Sequence, residues 1–295
     1  MTSFEFYRFR FHFRATDAVR FAPGQSANAV RGAFGRALRG VSREAYARLF
    51  EPASSAAGQG PSGLSDWPRP FVLRAAHLDG MVFSAGDPFF FDVHVFDVRR
   101  PAFDMFRAAF GALSSNGLGA GRGRAELTGS EQIDPDGRTT IAGGLPGAPS
   151  VLTLDADEAA RERVGVRFLT PTELKAAGEL VERPEFPILF ARLRDRLSTL
   201  RALYGAGPID IDFRAMGERA AGVRMAGCRL QWERVERKSG RTGQVHSIGG
   251  FTGEAHYEGA LGEFLPWLRA ARWVGVGRQT VWGKGDVRVM APPDA

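Results

Sequence analysis

The 295-residue sequence contains a single cysteine, Cys228, which permits no internal disulfide and no cysteine-based metal site. Its five histidines are scattered, without HExxH or any other ligand spacing, so neither a structural metal nor a cofactor is expected. No apolar run approaches the roughly 20 residues needed to cross a bilayer, which argues against a membrane partner. The opening MTSFEFYRFRFHFR alternates aromatic and charged residues and reads as a strand, not a signal peptide. Together these absences suit a cytoplasmic protein.

Lysine is nearly missing too. Of 39 basic residues only Lys175, Lys238 and Lys284 are lysine, leaving 36 arginines. A GC-rich genome accounts for part of that bias but not for its placement. Residues 1–48 hold Arg8, Arg10, Arg14, Arg20, Arg31, Arg36, Arg39, Arg43 and Arg48 against Glu5, Asp17 and Glu44, an excess equal to the +6 of the whole chain. A local arginine excess beside aromatics points to a polyanion partner, RNA or DNA.

Two stretches repeat one plan. FDMFRAAFGALSSNGLGAGRGRAEL (Phe103–Leu127) and LGEFLPWLRAARWVGVGRQTVWGKGDVRV (Leu261–Val289) each read as helix, glycine-broken arginine loop and strand. Backbone N–H groups and guanidinium groups can converge on phosphate in such loops, although glycine equally serves a tight turn. Arg122 and Arg124 in the first loop, and Gly275, Gly277, Arg278, Gly283, Lys284 and Gly285 in the second, are candidate phosphate contacts. Trp273 and Trp282 flank the second loop, able either to stack on a base or to fill a core.

The repetition predicts two domains, 1–150 and 151–295. In the first, Tyr7, Phe9, Phe11 and Phe13 alternate with Arg8, Arg10, His12 and Arg14. Helix one is expected to start at Ser26 as its N-cap, burying Val30, Phe34, Leu38 and Val41, while Arg36, Arg39 and Arg43 share an exposed face. Residues 51–70 read as a loop, followed by strands at Phe71–Leu78 and Phe89–Val98 and a helix burying Phe103, Phe106, Phe110 and Leu113. That order is the βαββαβ pattern of a ferredoxin-like fold.

Residues 129–150 read as a hairpin and linker. In the second half a strand at Val164–Thr170 precedes a helix burying Leu189, Leu193, Leu197 and Leu200, with Arg192, Arg194, Arg196 and Arg201 on its polar side. A hairpin over residues 229–250 and a helix at Leu261–Arg272, broken by a new turn at Pro266, complete the repeat. The fold class is α+β. Asp92, His94 and Asp97 are not a metal cluster, because alternation sends Asp97 to the other face from Asp92 and His94.

Four segments, in order, resemble the RAMP-superfamily endoribonucleases that cut CRISPR precursor transcripts into guide RNAs. They are VRGAFGRALRG (Val30–Gly40), FLTPTELK (Phe168–Lys175) with the helix ending in ALYG, GRTGQVHSIGGFTGEAHYEG (Gly240–Gly259), and the tail VGVGRQTVWGKGDVRV (Val274–Val289). The resemblance implies tandem ferredoxin-like domains with a basic face or cleft that holds CRISPR repeat RNA and keeps the mature crRNA, alongside other Cas effector-complex subunits. It also implies metal-independent cleavage by the RNA's own 2′-hydroxyl, leaving a 2′,3′-cyclic phosphate and a 5′-hydroxyl, with Arg31 among the RNA contacts.

One departure stands out. Many members carry a histidine on or after the first helix, whereas residues 26–50 contain none; Arg36, Arg39, Arg43 and Tyr46 occupy that neighbourhood. Three readings follow. Arg36, Arg39 and Arg241 catalyse, as resemblance to the type IV branch would allow; a displaced His246 or His12 serves; or the protein is a non-catalytic RAMP-type subunit of a CRISPR ribonucleoprotein that binds without cutting. Guanidinium is a poor base but a good partner for a pentacoordinate phosphorane.

Overall fold

Alternation gives β1 (Ser3–Ala15) two chemically distinct faces: Tyr7, Phe9, Phe11 and Phe13 are buried, while Arg8, Arg10, His12 and Arg14 lie opposite. The computed structural model describes residues 2–52, 67–119, 121–142, 144–157, 162–234, 236–238, 245–247 and 249–290. After β2 (Val19–Arg20) come α1 (Ser26–Val41), α2 (Arg43–Phe50), β3 (Phe71–Arg74), β4 (Val82–Phe83), β5 (Pro88–Val95), α3 (Phe103–Gly111), α4 (Leu113–Asn116) and β6 (Ala125–Ile133).

Strands β3, β5, β1 and β6 lie side by side in that order, each antiparallel to its neighbour. This is the ferredoxin-like arrangement, with α1 and α3 on the Tyr7–Phe13 face. Their meeting point is Phe34, whose ring stacks on Phe106 at 4.7 Å and meets Phe110 at 5.0 Å and Phe71 edge-on at 5.7 Å. β7 (Thr139–Ala142) forms a hairpin with β6, and β8 (Ser150–Thr153) pairs with the start of β1.

Two details of helix one differ from expectation. Ser26 is the first helical residue and not its own cap: its amide donates to Asp79 Oδ1 at 2.9 Å and its hydroxyl to the Ala75 carbonyl at 2.7 Å. The helix start is thus capped from the segment after β3. Val41 is 44% exposed, because the chain turns there into α2, whose amide Ala45 N–H donates to Ser42 Oγ.

The second half repeats the plan. It runs β9 (Arg163–Thr172), the hairpin β10 (Leu174–Ala176) and β11 (Glu179–Val181), α5 (Phe186–Tyr204), α6 (Phe213–Ala221), β12 (Arg224–Glu233), β13 (Glu236–Lys238), β14 (Val245–Ser247), β15 (Gly250–Glu258), α7 (Leu265–Val274) and β16 (Val287–Val289). The sheet order β12, β15, β9, β16 matches that of the first half strand for strand. α7 begins at Leu265 with Pro266 in its first turn, where the missing N–H costs nothing, so Pro266 opens the helix and does not interrupt it.

The halves exchange side chains. On β1, Phe4 and Phe6 belong to the core of the second half, along with Val72 and Phe96, while Val281 from the C-terminal loop belongs to the core of the first. Phe6 lies 5.0 Å from Trp273, which is 5% exposed and therefore a core residue. Arg196 and Arg201 leave the polar face of α5 for this junction: Arg196 Nε donates to the Val274 carbonyl at 2.8 Å, and Arg201 Nε lies 3.7 Å from Glu5. No helix among the described residues is long and apolar enough to cross a membrane.

His94 is sealed into the same junction, with Nδ1 donating to the Trp273 carbonyl at 2.8 Å. Burial first, then the charge of Arg74, pushes its pKa down to about 3 from an ordinary 6.5. The unfolded chain therefore takes up a proton below pH 6.5 that the folded one refuses. The neutral-His94 contribution is intact above pH 6.5 and is lost as pH falls toward 3, at up to about 1.4 kcal/mol per pH unit. Urea unfolding across this range should show a steeper pH dependence for the native protein than for His94→Gln; equal slopes would refute the assignment.

Candidate nucleic-acid interface

Both glycine loops converge on α1. In the first, Gly117, Gly119 and Gly121 have φ of 69°, 71° and 82°, and a Cβ on Gly119 or Gly123 would overlap the backbone of Ala18–Arg20. The loop is thereby clamped to the strand that leads into helix one. Arg122 follows with φ 53°, a strained conformation for a residue with a side chain, and it is exposed. Its positive charge acts on Arg36 of α1, whose pKa is held below the usual arginine range by partial burial first and by Arg122 second. Among the described residues no carboxylate forms an ion pair with either.

Beside this pair runs a ladder of arginines and aromatics. Arg31 stands 5.1 Å from the Trp282 ring and 5.1 Å from the Phe50 ring; Tyr46 stacks on Phe50 at 5.1 Å; Arg39 lies 5.6 Å over Tyr46. The i, i+4 spacing that makes one stripe of α1 exposed also places Gly32 under Arg36, whose guanidinium would lie 3.6 Å from a Cβ at that position. Arg31, Arg36, Arg39 and Arg122 are therefore brought onto one surface.

The second loop is engaged in holding the fold. The amides of Gly275, Val276, Arg278, Gly283 and Gly285 donate to the carbonyls of Ala271, Gly285, Glu173, Thr280 and Pro171. Gly275, Gly277, Gly283 and Gly285 have φ between 67° and 80°, and a Cβ on Gly283 would overlap that of Ala27 in α1. Lys284 is 3% exposed, its ammonium donating to the Gly24 carbonyl at 2.9 Å, and burial lowers its pKa. It ties the loop to the entry of helix one. Arg278 reaches outward but pairs with Glu173 at 2.6 Å.

Other expected residues lie elsewhere. Arg124 pairs with Asp17 at 2.9 Å. His12 is bound to Glu131 at 2.7 Å on the sheet face away from α1. His246 is paired through its backbone with Arg237 in the β13–β14 ladder, and Arg241 lies outside the described residues, as do residues 53–66 of the expected loop. Asp92 is engaged by Arg8 and Arg10, each at 2.7 Å; burial would raise its pKa, but the hydrogen bonds and charges of Arg10 and Arg8 outweigh that and hold it low. No group of potential metal ligands occurs among the described residues.

Sequence reasoning missed a second basic cluster, Arg74, Arg272 and Arg288, at the junction beside Arg8. Arg74 is a single arginine among apolar residues, and Arg272 shares the apolar helix α7 with Arg269. The one signal in the sequence was Arg288, an isolated charge between Val287 and Val289 in the last strand.

The geometry defines a protein of two tandem ferredoxin-like domains with an arginine and aromatic surface suited to a polyanion. Residues 4–148 match the model of an N-terminal domain family, AF_1859_N, and residues 166–287 match that of the CRISPR-associated endoribonuclease Cas6. The Cas6 endoribonuclease pattern thus lies in the second half of the chain, residues 166–287. Its fold is similar to that of a Cas6 product complex (20% identity, TM-score 0.60, covering 97% of this chain and 99% of that one) and of a Thermus thermophilus Cas6 (20%, 0.55, 98% and 100%). It is also similar to part of a Cas6-RT-Cas1–Cas2 complex (12%, 0.59, 98% and 46%). No curated protein matches in sequence.

Gly283→Ala should cost about 2 kcal/mol, from the left-handed backbone and the overlap with Ala27. Denaturant unfolding checks this, and a loss under about 0.5 kcal/mol would show that the loop relaxes freely.

Proposed function

We propose that this protein binds the repeat hairpin of precursor CRISPR RNA and cleaves it without a metal, then stays on the mature crRNA among other Cas subunits. The observation that carries the reading is the ladder of Arg31, Phe50, Tyr46 and Arg39 along α1, on a chain whose residues 166–287 match the Cas6 model; Arg36 and Arg122, which acts on its charge, stand near it with no carboxylate among the described residues paired to either. Like charges held together are a cost that a bound phosphate offsets.

In the reaction the 2′-oxygen attacks the adjacent phosphorus, a new O2′–P bond forms, and the P–O5′ bond breaks. The 2′-hydroxyl proton passes to solvent, and the 5′-oxygen takes one from water. Arg36 and Arg122 hold the equatorial oxygens of the phosphorane, where charge develops. Arg39 is positioned by Tyr46 to take a neighbouring phosphate, and Arg31 with Trp282 borders the strand. A guanidinium stays protonated and cannot serve as general base, so cleavage depends on hydroxide and is slow, which suffices for an enzyme that keeps its product. Arg241, outside the described residues, and His246 on β14 stay candidates for the catalytic roles that the sequence suggests.

The test is cleavage of the cognate repeat hairpin in EDTA beside a substrate with a single 2′-deoxy at the cut site. Cutting is expected to persist in EDTA, vanish with the deoxy substrate, and rise with pH without the plateau near 6.5 that an imidazole base gives. Arg36→Met and Arg122→Met should each lower the single-turnover rate by about 10²-fold or more. Loss of cutting in EDTA would sink the mechanism. Tight binding without cutting would favour the non-catalytic subunit, the reading that the absence of histidine from helix one supports.

A further inference from the structure

Behind the α1 surface, the Pro68–Arg69 segment and the C-terminal glycine loop enclose a cavity of about 170 Å³. Arg69, Arg196 and Gln279 supply its polar walls, and Pro68, Val281 and the Trp282 ring its apolar ones. The Trp282 ring also stands 5.1 Å from Arg31 of α1, so the cavity adjoins the ladder of arginines and aromatics. Its volume is well under the roughly 300 Å³ at which small-molecule pockets begin, and suits one flat ring system.

The two arginines are fixed in place but lack a counter-charge. Arg196 Nε donates to the Val274 carbonyl at 2.8 Å and Arg69 Nε to the Phe50 carbonyl at 3.0 Å; among the described residues neither has another hydrogen bond or an ion pair. Burial first, then the charge of Arg74, pushes the Arg196 pKa down to about 9 from an ordinary 12.5. A ligand that brings acceptors offsets that cost. Gln279 has φ 64°, a left-handed conformation that is costly for a residue with a side chain and recurs at ligand sites.

The mixed walls choose the class of ligand. A phosphate would use the arginines but gain nothing from Pro68, Val281 and Trp282, whereas a nucleobase uses both. Adenine and cytosine carry an amino donor on the edge that a guanidinium meets. Guanine presents two adjacent acceptors there, O6 and N7, which match arginine donors. Bases read in this way come from single-stranded RNA, where they can be splayed out of the stack.

We propose that this cavity takes one unpaired guanine of the bound RNA, with Arg69 and Arg196 reading its O6 and N7 edge and Trp282 standing between it and Arg31. It is a specificity site, and it rests on the reading above that the α1 surface binds repeat RNA.

The test is binding, measured with repeat RNA whose single 2′-deoxy at the cut site prevents cleavage. Each unpaired position carries in turn guanine, 7-deazaguanine or adenine. At one position guanine should bind about tenfold tighter than either replacement, the worth of a hydrogen bond from a charged donor. Arg196→Gln should remove that preference. Because Arg196 also holds the Val274 carbonyl, Arg69→Lys is measured beside it; this variant keeps the charge, loses the planar fork, and should weaken the preference while leaving the affinity for the adenine RNA unchanged. Equal binding of the three bases at every position would overturn the site, and so would a preference that both variants retain. A guanine preference on RNA that the native protein fails to cut would overturn the proposed cleavage and leave the site standing; cutting with no base preference would do the reverse.

Discussion

The structure depends on the division of labour along β1. Tyr7, Phe9, Phe11 and Phe13 fill the core beneath α1 and α3, whereas Phe4 and Phe6, on the other face, fill the core of the second half. Burying an aromatic side chain contributes about 2–3 kcal/mol, so one strand commits both halves to a single relative placement. β8 adds main-chain pairing to the same end of β1. Beyond Phe6 the second face changes from aromatic to arginine, and the chain turns an interface into a charged surface within one strand.

That constraint explains the C-terminal glycine loop. With the halves held together, the loop must pass between Ala27 of α1 and the β9–β10 segment, where a side chain on Gly283 or Gly277 would overlap its neighbours. Most of its amides are already donated within the fold, and what it presents beside α1 is Trp282, under Arg31. The first loop differs. It is clamped by Gly119 and Gly123, and the strain falls on Arg122, whose charge acts on Arg36 of α1. Two loops with one sequence plan thus have two jobs.

Chemistry on the α1 surface is constrained by what stands there. Arginine supplies charge and direction but no base, so the surface suits stabilisation of a phosphorane more than proton transfer. His12 and His94 do not fill that gap: His12 is engaged on the far face by Glu131, and His94 is buried and neutral. The arginines most involved in the junction, Arg74, Arg196 and Arg201, have side chains that reach toward the other half of the chain.

Much of the fold was legible from local pattern. Alternation marked β1, helical spacing marked Phe34 and Leu189–Leu200 as buried, and the repeated helix, loop and strand announced two similar halves. Each of these is set by the period of the backbone, which acts over a few residues. The exposed stripe carrying Arg36 and Arg39 was legible for the same reason. What the pattern misassigned lay at long range. Ser26 is capped by Asp79; Lys284, read as a phosphate contact, is held by the Gly24 carbonyl; Arg196 is drawn from the polar face of α5 into the junction; and Arg74 meets Arg272 across 198 positions. A charged side chain takes the environment that packing leaves for it, and that environment is assembled from distant segments. The sequence by itself determined the two ferredoxin-like halves and the arginine stripe on helix one; only the tertiary structure decided which arginines stay on the α1 surface and which join the halves.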